Sequence, residues 1–204
     1  ALKKAAELIR EFNINTVVTT SPPHSTQLIG LKLKQKFNIR WIADLRDPWT
    51  DIYYYNQFNH TALARKVDQN FERKVVENAD LLVTVSEDVK RIFAEKSRFP
   101  IAEKTVVIPN GFDEEDFRVS NVPAETRKVI TYTGTISEAY DVDCFLKALS
   151  GLNESLKSNL LIRFVGKIPP SVEKKFRDTG LEVELVGYVD HSKSIEYLFR
   201  SDLL

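Results

Sequence analysis

The chain has 204 residues, 43% hydrophobic and 28% charged, a globular composition that excludes disordered and fibrous classes. Basic and acidic side chains balance at 29 each, with 17 against 13 over residues 1–111 and 12 against 16 thereafter, so no basic excess points to nucleic acid. The single cysteine, Cys144, excludes a disulfide framework and a cysteine-based zinc site and fits a reducing compartment.

The opening residues place Leu2, Ala5, Ala6, Ile9 and Phe12 at three- and four-residue spacing, a core-facing amphipathic helix rather than a signal peptide. A strand is predicted over 16–20, then a helix over 25–37 with Leu28, Leu31, Leu33 and Phe37 inward, then a strand over 40–43. The longest uncharged stretch, residues 13–31, contains Pro22, Pro23 and His24 and cannot span a membrane. After an aromatic loop comes a helix over 61–78 striped by Leu63, Val67, Phe71 and Val75. A strand over 81–85 leads to a helix that Ser86 caps, and a further strand follows over 105–108. The alternation stops at Pro109-Asn110-Gly111 and resumes with strands over 128–133, 160–165 and 183–186 and helices near 141–152, 171–179 and 192–200. The last four residues read as the start of another strand. This is an α/β chain of two parallel-sheet units, apolar strands buried on both faces, joined by a hinge within 109–127. The absence of Met, the 7 Gly (roughly half of average usage) and the interrupted pattern at both ends suggest a piece of a longer protein.

Neither a dinucleotide G-x-G-x-x-G nor a phosphate-binding G-x-x-x-x-G-K-[ST] occurs, and no zinc-protease or G-x-S-x-G motif is present. Three scattered histidines argue against a histidine metal cluster, so chemistry must come from strand-end loops. In SPPHS, Ser25 and a helix start offer N–H groups to an anion or merely cap the helix, and His24 is a proton donor or acceptor or incidental. In ADLRDPW, Asp44, Arg46 and Asp47 crowd a strand end, where they pair internally, meet a ligand, or both. The following Ile52, Tyr53, Tyr54, Tyr55 and Phe58 stack on sugars or lipids or simply cover the sheet end. Asn110-Gly111 permits positive φ and a sharp turn between units. In YTGT, Gly134 admits a phosphate to the backbone, and Thr135 and Ser137 add hydroxyls.

Taken in order, TSPPHS, WIADLRDPW, ADLLVTVSED, VVIPNGFDEEDF, ITYTGTI with FLKAL, VGK and the VELVGYVDHSKSIEYLFRSDLL tail resemble glycosyltransferases of family four, over nearly the whole chain. The resemblance implies the GT-B architecture of two Rossmann-like α/β units, both incomplete here. Residues 1–111 would be the C-terminal part of an acceptor-side domain, 112–127 a linker, and 128–204 the N-terminal part of a nucleotide-sugar domain. It implies a nucleotide-diphosphate sugar donor, a glycan or lipid-linked acceptor, retention of anomeric configuration, and no metal or other cofactor. His24 matches the first-domain loop that looks into the cleft, and Asp44, Arg46 and Asp47 match an acceptor-side loop. Gly134, Thr135 and Ser137 match the donor pyrophosphate loop, Gly166 and Lys167 a loop near the nucleotide, and Pro109, Asn110 and Gly111 the interdomain hinge.

Two departures bear on activity. Thr135 and Tyr140 stand where many members carry Arg and Lys, and the family's Glu-x7-Glu segment would lie beyond Leu204. The expectation is therefore a glycosyltransferase in the cytoplasm or at the inner membrane face, working on polysaccharide or glycolipid, with this stretch inactive alone. The alternatives are a two-unit ligand-binding module without chemistry and a degenerate transferase.

Overall fold

The computed structural model describes residues 1–118, 123 and 125–204, which divide into two compact units, Ala1–Gly111 and Phe112–Leu204. Of the segment expected as a linker, residues 119–122 and 124 lie outside the described residues.

The first unit runs α1 (Leu2–Phe12), β1 (Thr16–Ser21), α2 (Ser25–Lys36), β2 (Arg40–Leu45), α3 (Ala62–Asn78), β3 (Leu81–Thr84), α4 (Glu87–Lys96) and β4 (Thr105–Val107). Its parallel sheet has the sequential order β1-β2-β3-β4. With right-handed crossovers, a sheet that grows in one direction only puts every connecting helix on one face. The core follows that rule: Trp41, Ala43, Leu45 and Leu82 share one face and pack against Leu31 of α2, Val75 and Val76 of α3 and Phe93 of α4. The expectation of burial on both faces therefore fails here, and Val18, on the opposite face, is 60% exposed. Each large apolar side chain fully buried in such a core contributes about 1.5–3 kcal/mol.

Trp41 shapes α2. A Cβ on Gly30 would lie 2.2 Å from Trp41 Nε1, so this mid-helix glycine is what lets the indole seat against the helix. The predicted inward stripe of α2 is correspondingly shifted, with Gln27, Gly30, Leu31 and Leu33 buried and Leu28 and Phe37 only half-buried. In α3 the stripe holds only in its second half. Leu63 is 73% exposed because the first turns of the helix lie outside the core cluster, which begins at Phe71.

The second unit runs β5 (Lys128–Thr135), α5 (Asp143–Ser150), α6 (Glu154–Ser158), β6 (Leu160–Lys167), α7 (Pro170–Arg177), β7 (Glu182–Gly187) and α8 (His191–Phe199). Its parallel sheet has the order β5-β6-β7, and Leu203 adds a parallel bridge to Ile130 on the free side of β5. The direction of winding thus reverses at β5. Consequently α5 and α7 pack on Ile162 and Phe164, while α8 lies on the opposite face, with Tyr197 under the Arg163 guanidinium. Here β6 is buried on both faces as expected. Arg163, 4% exposed, is neutralised by Glu184 and Glu125, both at 2.6 Å. Among the described residues, no helix is long and apolar enough to cross a membrane.

Candidate functional sites at the strand ends

In open α/β sheets, ligands bind outside the carboxyl ends of strands where the strand order reverses. In the second unit that place is the end of β5. Gly134 and Gly166 are register partners on β5 and β6, at φ +127° and +130°, and Thr135 pairs with Lys167 beyond them. A Cβ on Gly166 would fall 2.0 Å from the Gly134 carbonyl oxygen, so the pair leaves bare backbone at the sheet rim. Beside it is a cavity of about 270 Å³ lined by Gly134, Thr135, Gly166 and Lys167 together with Tyr188, His191 and Ser194. His191 Nε2 meets Asp116 Oδ2 at 2.9 Å.

Ser137 is not part of this lining. Its hydroxyl accepts the Ala139 N–H at 3.2 Å and stays within its own turn. Nor is the N-terminus of α5 open to an anion: Asp141 Oδ1 takes the Asp143 N–H, and Lys175 pairs with the Asp143 carboxylate. The polar groups left at this cavity are the strand-end backbone with Thr135, Lys167, His191 and Ser194. Sequence reading missed Tyr188, His191 and Ser194; the signal was Gly187-Tyr188 ending an apolar strand, which gives no hint of its alignment with β5.

In the first unit the sequence-derived set separates between two cavities, neither of which Asp47 lines. Asp44 and Arg46 form an ion pair at 3.6 Å and line a cavity of about 570 Å³ with Ile108, Pro109, Asn110 and Gly111. The internal-pair reading of this loop is realised without closing the cavity. Asn110 and Gly111 adopt no positive φ; the chain leaves β4 without the sharp turn that the sequence suggested.

His24 lines the other cavity, of about 400 Å³, stacked on Trp49 with ring centroids 5.1 Å apart and planes 11° from parallel. Burial holds the His24 pKa below its ordinary 6.5, partly offset by Asp47 and Asp68, so the imidazole is neutral at pH 7. Ser25 does not cap α2. The turn Pro23–His24 runs directly into the helix, Thr26 and Gln27 donate their N–H groups to Pro23 and His24 carbonyls, and no side-chain cap forms.

Two buried polar side chains hold these loops. Gln27 donates to the Asp44 carbonyl at 2.8 Å and to Ser21 Oγ at 2.9 Å and accepts from Thr19 Oγ1, tying the ends of β1 and β2 together. Glu72 accepts from the Trp49 and Thr50 N–H groups and from Thr50 Oγ1, and pairs with Lys96 at 2.7 Å. Burial pushes the Glu72 carboxyl up and pulls Lys96 down to about 8. Both pins escaped the sequence reading, which treated these helices as apolar stripes. Among the described residues, no group of three His, Cys, Asp or Glu is placed to hold a metal ion.

The family model of Glycosyltransferase Family 4 matches residues 1–116. The chain belongs to that family. No curated protein sequence matches it. Among solved structures, it is similar to sucrose-phosphate synthase from Thermosynechococcus elongatus (17% identity, TM-score 0.67), covering 98% of this chain and 52% of that one. It is also similar to HepE of Anabaena in complex with UDP (14% identity, TM-score 0.71), covering 98% and 54%. A third is WaaG, a glycosyltransferase involved in lipopolysaccharide biosynthesis (18% identity, TM-score 0.54), covering 85% and 54%. The family 4 chain therefore has the two-unit GT-B fold and spans about half the length of these relatives.

Proposed function

We propose that the protein acts within a nucleotide-sugar-dependent glycosyltransferase. Its second unit takes the donor diphosphate at the ends of β5 and β6, and loops of its first unit take a glycan or lipid-linked acceptor. The observation that carries this reading is the Gly134–Gly166 pair, bare backbone opening on a cavity that also offers Lys167, Thr135 and Ser194. Membership of family 4 supports the same chemistry, and the UDP held by HepE supports the donor class. As the bond from sugar to diphosphate breaks, negative charge grows on the leaving oxygen, and Lys167 with the strand-end amides opposes it. In the first unit, neutral His24, which lines the aromatic cavity with the Asp47 carboxylate acting on it, orients an acceptor hydroxyl. Transfer retains the anomeric configuration and needs no metal ion.

A second reading, a ligand-binding or degenerate member without transfer, is favoured by Thr135 and Tyr140, which remove two positive charges that many family members carry. UDP, ADP and GDP titrated into the protein, followed by saturation-transfer NMR with and without EDTA, test the first point. Saturable binding of one diphosphate, weakened by Lys167→Ala and indifferent to EDTA, is expected. No binding at millimolar diphosphate refutes the donor site. Binding without sugar transfer by the parent protein, for any nucleotide sugar tried, supports the second reading.

A further inference from the structure

The structure assigns the aromatic cavity of the first unit as a subsite for an uncharged pyranose ring. Calling that ring part of the acceptor rests on the transferase reading above; its recognition by the cavity does not. The space of about 400 Å³ lies within the range of small-molecule pockets, about 300–1,000 Å³. Trp49, buried and held by its stack on His24 and by Glu72 at its backbone, is a rigid aromatic wall. Opposite in character is Phe58, 59% exposed at the rim and packed against Tyr54 at 5.6 Å and His60 at 5.7 Å between ring centroids.

The polar groups select among occupants. Asp68 accepts the Tyr55 hydroxyl at 2.8 Å through Oδ2, and His60 lies against Tyr55 with centroids 4.8 Å apart. A hydrocarbon chain would desolvate Asp68 and His60 and give no hydrogen bond in return. A phosphate is opposed by charge: the lining has no Lys or Arg, and the Asp47 and Asp68 carboxylates both act on His24. A pyranose satisfies both conditions, laying its C–H face on an aromatic ring while its hydroxyls donate to a carboxylate.

Of the 2 tryptophans, Trp41 is wholly buried in the core and Trp49 lines the cavity, so emission reports on occupancy. The probes are the methyl glycosides of glucose, galactose, mannose and N-acetylglucosamine, with octyl phosphate as the lipid-like arm. At least one glycoside is expected to give a saturable change, weakened at least tenfold by Phe58→Ala and by Asp68→Asn. Octyl phosphate is expected to give none. The assignment is overturned if none of the four saturates, if both variants bind as tightly as the parent, or if octyl phosphate saturates instead. UDP binding in the same samples separates the two proposals: UDP without glycoside removes this subsite alone, and glycoside without UDP removes the donor site alone.

Discussion

Gly166→Ala tests, through stability, the close approach of β5 and β6 that shapes the proposed donor site. The substituted methyl would sit 2.0 Å from the Gly134 carbonyl oxygen and 2.8 Å from its carbonyl carbon, both backbone atoms of the paired strand. No side chain can swing aside, so β5 or β6 must shift at its end. A non-glycine residue held at such a φ costs about 1–3 kcal/mol, and the overpacking adds about 1–3 kcal/mol. The sum, about 2–6 kcal/mol, is a large share of the roughly 5–15 kcal/mol that holds a domain folded. With a mid-range urea slope of about 2 kcal/mol per molar, the midpoint falls by about 1–3 M. Gly111→Ala is the control, since a methyl there meets no atom within 4 Å. Urea titrations followed by far-UV circular dichroism should show the drop for Gly166→Ala and none for Gly111→Ala. Tryptophan emission reports separately on the first unit, which holds Trp41 and Trp49. Coincident dichroism midpoints for the two variants would refute the close-approach reasoning.

Removing Glu72 leaves Lys96 half-buried with its inner partner gone and frees the Trp49 and Thr50 N–H groups. Glu72→Ala should cost about 3–5 kcal/mol in thermal unfolding, and a loss below 1 kcal/mol would show that water replaces the carboxylate. Gln27→Leu keeps the volume but removes the amide's hydrogen bonds with Ser21, Thr19 and the Asp44 carbonyl, for about 1–3 kcal/mol measured in urea. The His24 ring, assigned by its loss in His24→Ala, should titrate below 6.5 by proton NMR. Because the unfolded chain then binds the proton more readily, stability should fall as pH drops below 6.5 toward the folded value. A midpoint at or above 6.5 contradicts the burial of the ring.

The order of elements was legible because hydrophobic period survives translation into structure. Strands at 16–20 and 160–165, for example, appear as Thr16–Ser21 and Leu160–Lys167. What failed was information that depends on where the neighbours lie. Leu63 and Val67 repeat at helical spacing, yet they are exposed because their half of α3 meets no sheet. Val18 reads as a core residue, but a sheet that winds in one direction leaves its face uncovered. Gln27 and Glu72 look like surface residues in sequence, since nothing local reveals that strand-end backbone groups converge on them. Gly134 was legible as a permissive position and Gly166 only through the family resemblance, but their pairing across β5 and β6 was not legible.

The two units fix their strand-end residues by different means, and topology explains the difference. In the second unit the reversal of winding at β5 places bare strand-end backbone beside the loop that precedes α8, so glycines and main-chain amides suffice to shape the cavity. Among the described strands of the first unit no reversal occurs, and all four helices share one face. Loops that leave β1 and β2 there receive no support from helices on the other side. Buried polar side chains take that role instead, Gln27 joining the two strand ends and Glu72 fixing Trp49, which in turn orients His24. Such pins are satisfied only in one arrangement, because each unpaired buried donor or acceptor costs about 1–3 kcal/mol. Substitutions on the aromatic rim, Phe58 among them, should therefore alter what is bound without moving His24. Substitutions at Gln27 or Glu72 should displace the whole loop set together.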